Sequence, residues 1–246
     1  MDIPSLDDIW QETLGLDDFD AGRLEAAITR NQQPAYGLTL VVHPLRGPGS
    51  EPRRVLEAIA ELRSALSQAW EQPLPCSFFP EEILHLTIYS LRRSRPEPFS
   101  LAELEELWTR LASELRHILK ATPPFTVSLR GLAVTADGAI LIGVDDSPVL
   151  RRLRQAVKAI PGVSPPRSYP PHVTIGQMVA PFDSKEGFRR AMGYLRTWQG
   201  VPLGELGVPA LNLIYYSSRI LAAVERWETF NLNNDSTEIL LKCSQK

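Results

Sequence analysis

Cysteine is scarce. The chain has two, Cys76 and Cys243, in 246 residues, and no Cys-x-x-Cys pair. That argues against a disulfide framework or a zinc-thiolate centre, and predicts a reducing, cytoplasmic setting. No apolar run approaches the roughly 20 residues that cross a membrane. The opening Met1-Asp2-Ile3-Pro4 lacks the basic and apolar regions of a signal peptide. Histidine is also rare, with four in the chain and no His-x-His or His-Glu-x-x-His. No metal is therefore expected. Gly47 and Gly49 lack the following Lys-Ser/Thr of a phosphate-binding loop, and no cofactor is called for.

Charge is what the sequence distributes unevenly. The formal net charge is −3. Residues 1–25 carry eight acids (Asp2, Asp7, Asp8, Glu12, Asp17, Asp18, Asp20, Glu25) against Arg23, so that segment is −7 and the rest is +4. A body this mildly basic suits a small phosphorylated ligand and offers no duplex-DNA surface. Residues 1–33 read as an acidic, partly helical extension, either solvated, or folded over the groove or bound to a partner. Residues 34–246 read as the working domain.

Within that domain, Tyr36–His43 is a buried strand by composition. Glu51–Trp70 has helical spacing through Val55, Ile59, Leu62, Leu66 and Trp70. A Pro-rich link (Pro73, Pro75, Pro80) leads to a strand at Ile83–Leu91, and Leu101–Leu119 is a second helix. The second half repeats the order. Phe125–Val134 and Ala139–Val144 are strands about an Asp137-Gly138 turn. Pro148–Ile160 is a helix with Ser147 as N-cap. A second Pro-rich link precedes a strand at His172–Val179. Ser184–Trp198 is a helix, and strands at Leu206–Ser217 and Leu221–Leu232 close the chain. The pattern predicts an α+β fold with two antiparallel sheets and a weak internal duplication.

The informative feature is a repeated tetrapeptide, His85-Leu86-Thr87-Ile88 and His172-Val173-Thr174-Ile175. Strand side chains alternate, so each histidine shares a face with its threonine while the aliphatic residues face the core. The chain holds twelve threonines, so a given histidine has threonine two residues on about one time in twenty. Two of four histidines showing it, each in the same place in its half, is not chance. Imidazole titrates near neutrality, so one ring can accept a proton while the other donates one. A threonine hydroxyl can hydrogen-bond a phosphoryl oxygen. Two such pairs across a groove can hold and cleave one phosphodiester without a metal.

With these motifs, 87 residues apart, the chain resembles the 2H phosphoesterase superfamily, which includes LigT-like RNA ligases and cyclic nucleotide phosphodiesterases. The resemblance covers about residues 35–232. It implies a bilobal fold, two pseudo-symmetric lobes each with a small antiparallel sheet flanked by helices. It implies catalysis by His85 and His172 and phosphate contacts from Thr87 and Thr174. The expected activity is metal-independent hydrolysis of 2′,3′-cyclic or 2′-linked phosphodiesters, on a nucleotide or short single-stranded RNA, by a monomer. Ligation of 2′-5′ RNA, hydrolysis of 2′-5′ oligonucleotides and a non-catalytic nucleotide- or RNA-binding role stay open.

Other residues stand beside the motifs. Tyr89, two beyond Thr87, is expected on the same face, where it either stacks on a base or packs. Arg92, Arg93, Arg167 and Tyr169 are candidates for substrate contact, with solvated loop positions as the plainer reading. Arg151, Arg152 and Arg154 read as a solvent-facing helix surface. His43 and His117 lack the threonine and read as structural or surface residues.

Overall fold

The computed structural model describes residues 21–43, 45, 53–68, 76–134, 138–144, 148–164, 170–180, 182, 184–218 and 223–232. The Asp137 turn residue, the Ser147 cap, Trp70, Arg167 and Tyr169 lie outside them.

Helix α1 spans Ala21–Asn31 and strand β1 Tyr36–Val42, followed by α2 (Arg53–Gln68), β2 (Cys76–Phe78) and one 3-10 turn at Glu81–Ile83. Next come β3 (Leu86–Arg95), α3 (Leu101–Lys120), β4 (Phe125–Val134), β5 (Gly138–Val144) and α4 (Pro148–Ala159). The chain continues with β6 (His172–Met178), α5 (Lys185–Arg196), β7 (Pro202–Val208), β8 (Ala210–Tyr216) and β9 (Val224–Asn231). Local chemistry sets the helix starts. Ser100 accepts from the Glu103 amide in an S-x-x-E cap, and Ser184 accepts from the Gly187 amide. In α3, Leu107, Trp108, Leu111, Leu115 and Leu119 recur at helical spacing and are buried.

Among the described residues, nine antiparallel strands form one sheet, in the order β7-β4-β5-β6-β3-β1-β8-β9, with β2 on β6. The α+β antiparallel fold is as expected. The two separate sheets are not. The halves join through a short ladder in which Leu86 pairs with Val173 and Thr87 with His172. Outward from that junction run β3-β1-β8-β9 on one side and β6-β5-β4-β7 on the other, four strands each. Beyond the junction β2 takes over the edge of β6, with Phe78 opposite Gly176 and Cys76 opposite Met178. That strand lies where the sequence reads as a Pro-rich link. Gly176 lets it approach, since a Cβ there would sit 2.8 Å from the Ser77 carbonyl oxygen.

The expected strand Leu206–Ser217 is two strands, β7 and β8, divided at Pro209, which has no amide to continue a ladder. They belong to opposite halves. Along the sheet they are six strands apart, about 29 Å in a flat sheet. Along the chain Val208 and Ala210 are two Cα steps apart, about 7.6 Å. The sheet must therefore curl until its two arms approach. β8 and β9 complete the first half, whereas the sequence pattern assigns them to the second.

Leu38, Leu40, Leu84, Leu86, Val173 and Ile175 are buried in the main core. Each contributes roughly 1.5–3 kcal/mol of burial. Helix α2 packs on β7, α3 on β9 and α4, α4 on β3, and α5 on β4. Helix α1 packs on β6, with Leu24, Ala27 and Ile28 in the core. The part of the acidic extension that is described is thus built into the body. Among the described residues no helix is long and apolar enough to cross a membrane.

Candidate active site

The sheet junction brings the two motifs together. Directly opposed residues share a face, so Thr87 and His172 stand side by side. His85 and Thr174 flank the other pair of that ladder, Leu86 and Val173. A row of one face then reads, from the second half to the first, Arg130, Ile142, His172, Thr87, Val41 and Asn212. On the opposite face lie Leu86 and Val173, both fully buried. Alternation therefore does what the sequence predicts: the aliphatic residues anchor the strands and the His–Thr pairs are held out on the other side.

Both histidines are fixed in the same way. Nδ1 of His85 lies 3.0 Å from the Ile83 carbonyl oxygen, and Nδ1 of His172 lies 3.0 Å from that of Pro170. A carbonyl only accepts, so each Nδ1 carries the proton, and in the neutral ring Nε2 is the bare base. His85 precedes β3 and is 6% exposed, whereas His172 opens β6 and is half-buried. Burial pushes the His85 imidazole down to about 4; the Ile83 carbonyl opposes this, and the neighbouring His43 and His172 rings add to it. Burial also lowers His172, against the Pro170 carbonyl, with Arg154 adding to the fall. In the unliganded protein the pair is therefore neutral at pH 7, and a proton on one ring opposes a proton on the other.

A family model, that of the 2′-5′ RNA ligase superfamily, matches residues 51–217. The chain belongs to this superfamily. Solved structures similar to it include the apo form of Escherichia coli LigT, at 18% identity and TM-score 0.46, covering 82% of this chain and 96% of that one. TT0787 of Thermus thermophilus has 22% identity and TM-score 0.48, over 81% and 99%. A conserved protein of unknown function from Agrobacterium tumefaciens has 15% identity and TM-score 0.51, over 81% and 86%, a likeness of fold. No curated protein matches the chain.

Around the superfamily motifs the structure revises several expectations. Tyr89 does not share the face of Thr87. The β1–β3 register shifts between Leu40 and Val41, so Val41 opposes Thr87 and Leu40 opposes Tyr89. Ile88 is the extra residue, and it turns Tyr89 to the core, 3% exposed, with its hydroxyl 3.4 Å from the Ser164 carbonyl oxygen. Arg92 opposes Leu38, on the same core side, and its Nε is buried with no hydrogen-bond partner among the described residues. Arg93 is exposed. Arg154 is no solvent-face residue: it is half-buried on α4, and its charge acts on both His172 and Tyr89. Arg151 and Arg152 are exposed, as is His117.

The largest omission is His43. Its ring stands edge-on to His85 at 6.3 Å between centroids, and edge-on to Trp227 at 6.2 Å. No signal in the sequence marks it, because its contacts join segments far apart in the chain. Among the described residues, no three His, Cys, Asp or Glu side chains come together where they could hold a metal ion.

Proposed function

We propose that this protein is a metal-independent phosphodiesterase that opens 2′,3′-cyclic or 2′-linked phosphodiesters of nucleotides or RNA ends. The observation that carries the reading is the direct opposition of Thr87 and His172 in the two-residue ladder between β3 and β6. It sets the threonine of one motif beside the histidine of the other, although the two motifs lie far apart in the chain.

In this reading the deeper, neutral His85 is the general base. Its bare Nε2 takes a proton from water as the water oxygen attacks phosphorus. His172 enters the reaction protonated and gives its Nε2 proton to the leaving ribose oxygen as the P–O bond breaks. The bound phosphate anion favours the imidazolium that burial disfavours. Thr87 and Thr174 donate hydrogen bonds to the non-bridging oxygens, where charge grows in the transition state. After release His85 holds a proton and His172 lacks one, and exchange with solvent resets both. By resemblance to the superfamily, a 2′,3′-cyclic substrate yields a 2′-phosphate.

The test is a substrate panel in EDTA: 2′,3′-cyclic mononucleotides, cyclic-ended RNA, and 2′-5′ and 3′-5′ dinucleotides. Hydrolysis of cyclic phosphates supports the proposal. Joining of 2′-5′ RNA without hydrolysis would favour the ligase, and binding without turnover of any member would favour a non-catalytic module. E. coli LigT has been solved with 3′-AMP and with phosphate, and both ligands serve as binding probes.

A further inference from the structure

Strand β9 presents two different faces. Arg226 pairs with Glu105 at 2.7 Å and Glu228 with Arg116 at 2.5 Å, so these residues are turned to helix α3. Alternation turns Trp227 and Thr229 the other way. The register agrees, since Trp227 opposes Ile214 and Ile214 opposes Thr39, two residues from Val41 on the face of the motifs. Trp227 is 52% exposed, one of the few large apolar side chains left in solvent among the described residues. Val41 and Ile214 beneath it form a small apolar cluster separate from the main core.

His43 links this indole to the catalytic centre, and it is held at two points. Its backbone oxygen accepts from Asn212 Nδ2 at 2.8 Å, and Asn212 Oδ1 accepts from Thr229 Oγ1 at 2.8 Å. Burial lowers the His43 imidazole, and the Leu84 carbonyl opposes this. The ring is wedged between the exposed indole on one side and His85 on the other.

We propose that Trp227 and His43 form a nucleoside subsite on the His85 side of the motifs. The exposed indole stacks on the nucleobase, and the His43 ring, edge-on to both Trp227 and His85, holds the indole beside the catalytic centre. The inference rests on the phosphodiesterase reading for its substrate class. It adds that the base is bound on the first half of the sheet, so that the reacting phosphate meets His85 from a fixed direction.

The experiment compares Trp227→Leu, Trp227→Phe and His43→Phe with the wild type on two substrates. One is 2′,3′-cyclic AMP. The other is the 2′,3′-cyclic phosphate of methyl riboside, which keeps the sugar and lacks the base. Loss of one base stack predicts that Trp227→Leu raises KM for cyclic AMP about tenfold with kcat nearly unchanged. The methyl riboside should be unaffected, and Trp227→Phe should restore most of the loss. His43→Phe should raise KM severalfold. Equal effects of Trp227→Leu on both substrates, or no effect on either, overturn the subsite. Binding separates this failure from failure of the phosphodiesterase reading. Tight binding of inorganic phosphate with no added affinity for 3′-AMP removes the subsite alone. Binding of 3′-AMP that Trp227→Leu weakens, in a protein that hydrolyses nothing, removes the hydrolase alone.

Discussion

Thr87 of the first motif stands directly across the strand ladder from His172 of the second. The two residues are 85 positions apart in the chain, and that ladder holds only one other pair. The candidate site is therefore a property of the junction between two half-sheets. Cross-strand neighbours of this kind have Cβ atoms about 4.5–5.5 Å apart, the scale of a phosphate group with its ester oxygens.

Substitution at the four motif positions should separate by role. His85→Ala and His172→Ala are each expected to lower kcat by roughly 10²–10⁴-fold, the size of one general acid or base. Thr87→Val and Thr174→Val should lose less, since each removes one hydrogen bond to a charged group, about 1.5–3 kcal/mol. Steady-state kinetics with a folding check by circular dichroism measures both. Wild-type turnover in either histidine variant contradicts the two-histidine mechanism.

The pH dependence follows from the shifted imidazoles. As base, His85 must be neutral, and its value of about 4 places the acid limb there. As acid, His172 must be protonated, and its value is lowered from 6.5. The profile of kcat/KM, which reports the free enzyme, should be a bell with its maximum between about pH 4 and 6.5. Arg154 helps to hold His172 down, so Arg154→Met should move the alkaline limb to higher pH. A maximum above pH 7.5, or an alkaline limb that moves down in the variant, contradicts these assignments.

Stability should also depend on pH. His85 is neutral in the folded chain at pH values where its unfolded counterpart is charged. The unfolded state binds the extra proton, so stability falls as pH drops from about 6.5 to about 4. From His85 alone the loss approaches about 3 kcal/mol. Urea unfolding at pH 7 and pH 4.5 measures it, and His85→Gln should flatten the difference. An unchanged slope in the variant would assign the effect to other groups.

Helix α1 gives a prediction about the N-terminal segment. Leu24 is 1% exposed and sits in the main core, so Leu24→Ala should cost about 2–5 kcal/mol. Deleting residues 1–33 should lower the melting temperature sharply. A truncated protein as stable as the full chain contradicts the packing of α1 on β6.

Much of the fold is legible in the sequence because most strands and helices are long and periodic. Strand Phe125–Val134 and the helix Leu101–Leu119 follow from local pattern alone. The twin motifs are equally plain, since the alternation from each histidine to its threonine survives in the structure. What escapes depends on partners distant in the chain. β2 is three residues long and exists because Gly176 lets it onto the edge of β6. The break at Pro209 looks like a pause in one strand, and only the sheet order shows it as a crossing between halves. Simple alternation puts Tyr89 on the wrong face because a single extra residue, Ile88, resets the pattern, and no local signal marks a bulge. His43 meets His85 and Trp227 only through contacts between segments far apart in the chain.

Phosphorus NMR of 2′,3′-cyclic AMP in the presence of EDTA tests the two-histidine hydrolysis most directly. The wild-type protein is predicted to convert it to the 2′-monophosphate, and the His85→Ala and His172→Ala variants to leave it essentially intact over the same time. No turnover by the wild type, or turnover that vanishes on chelation, would contradict metal-independent hydrolysis by the two histidines.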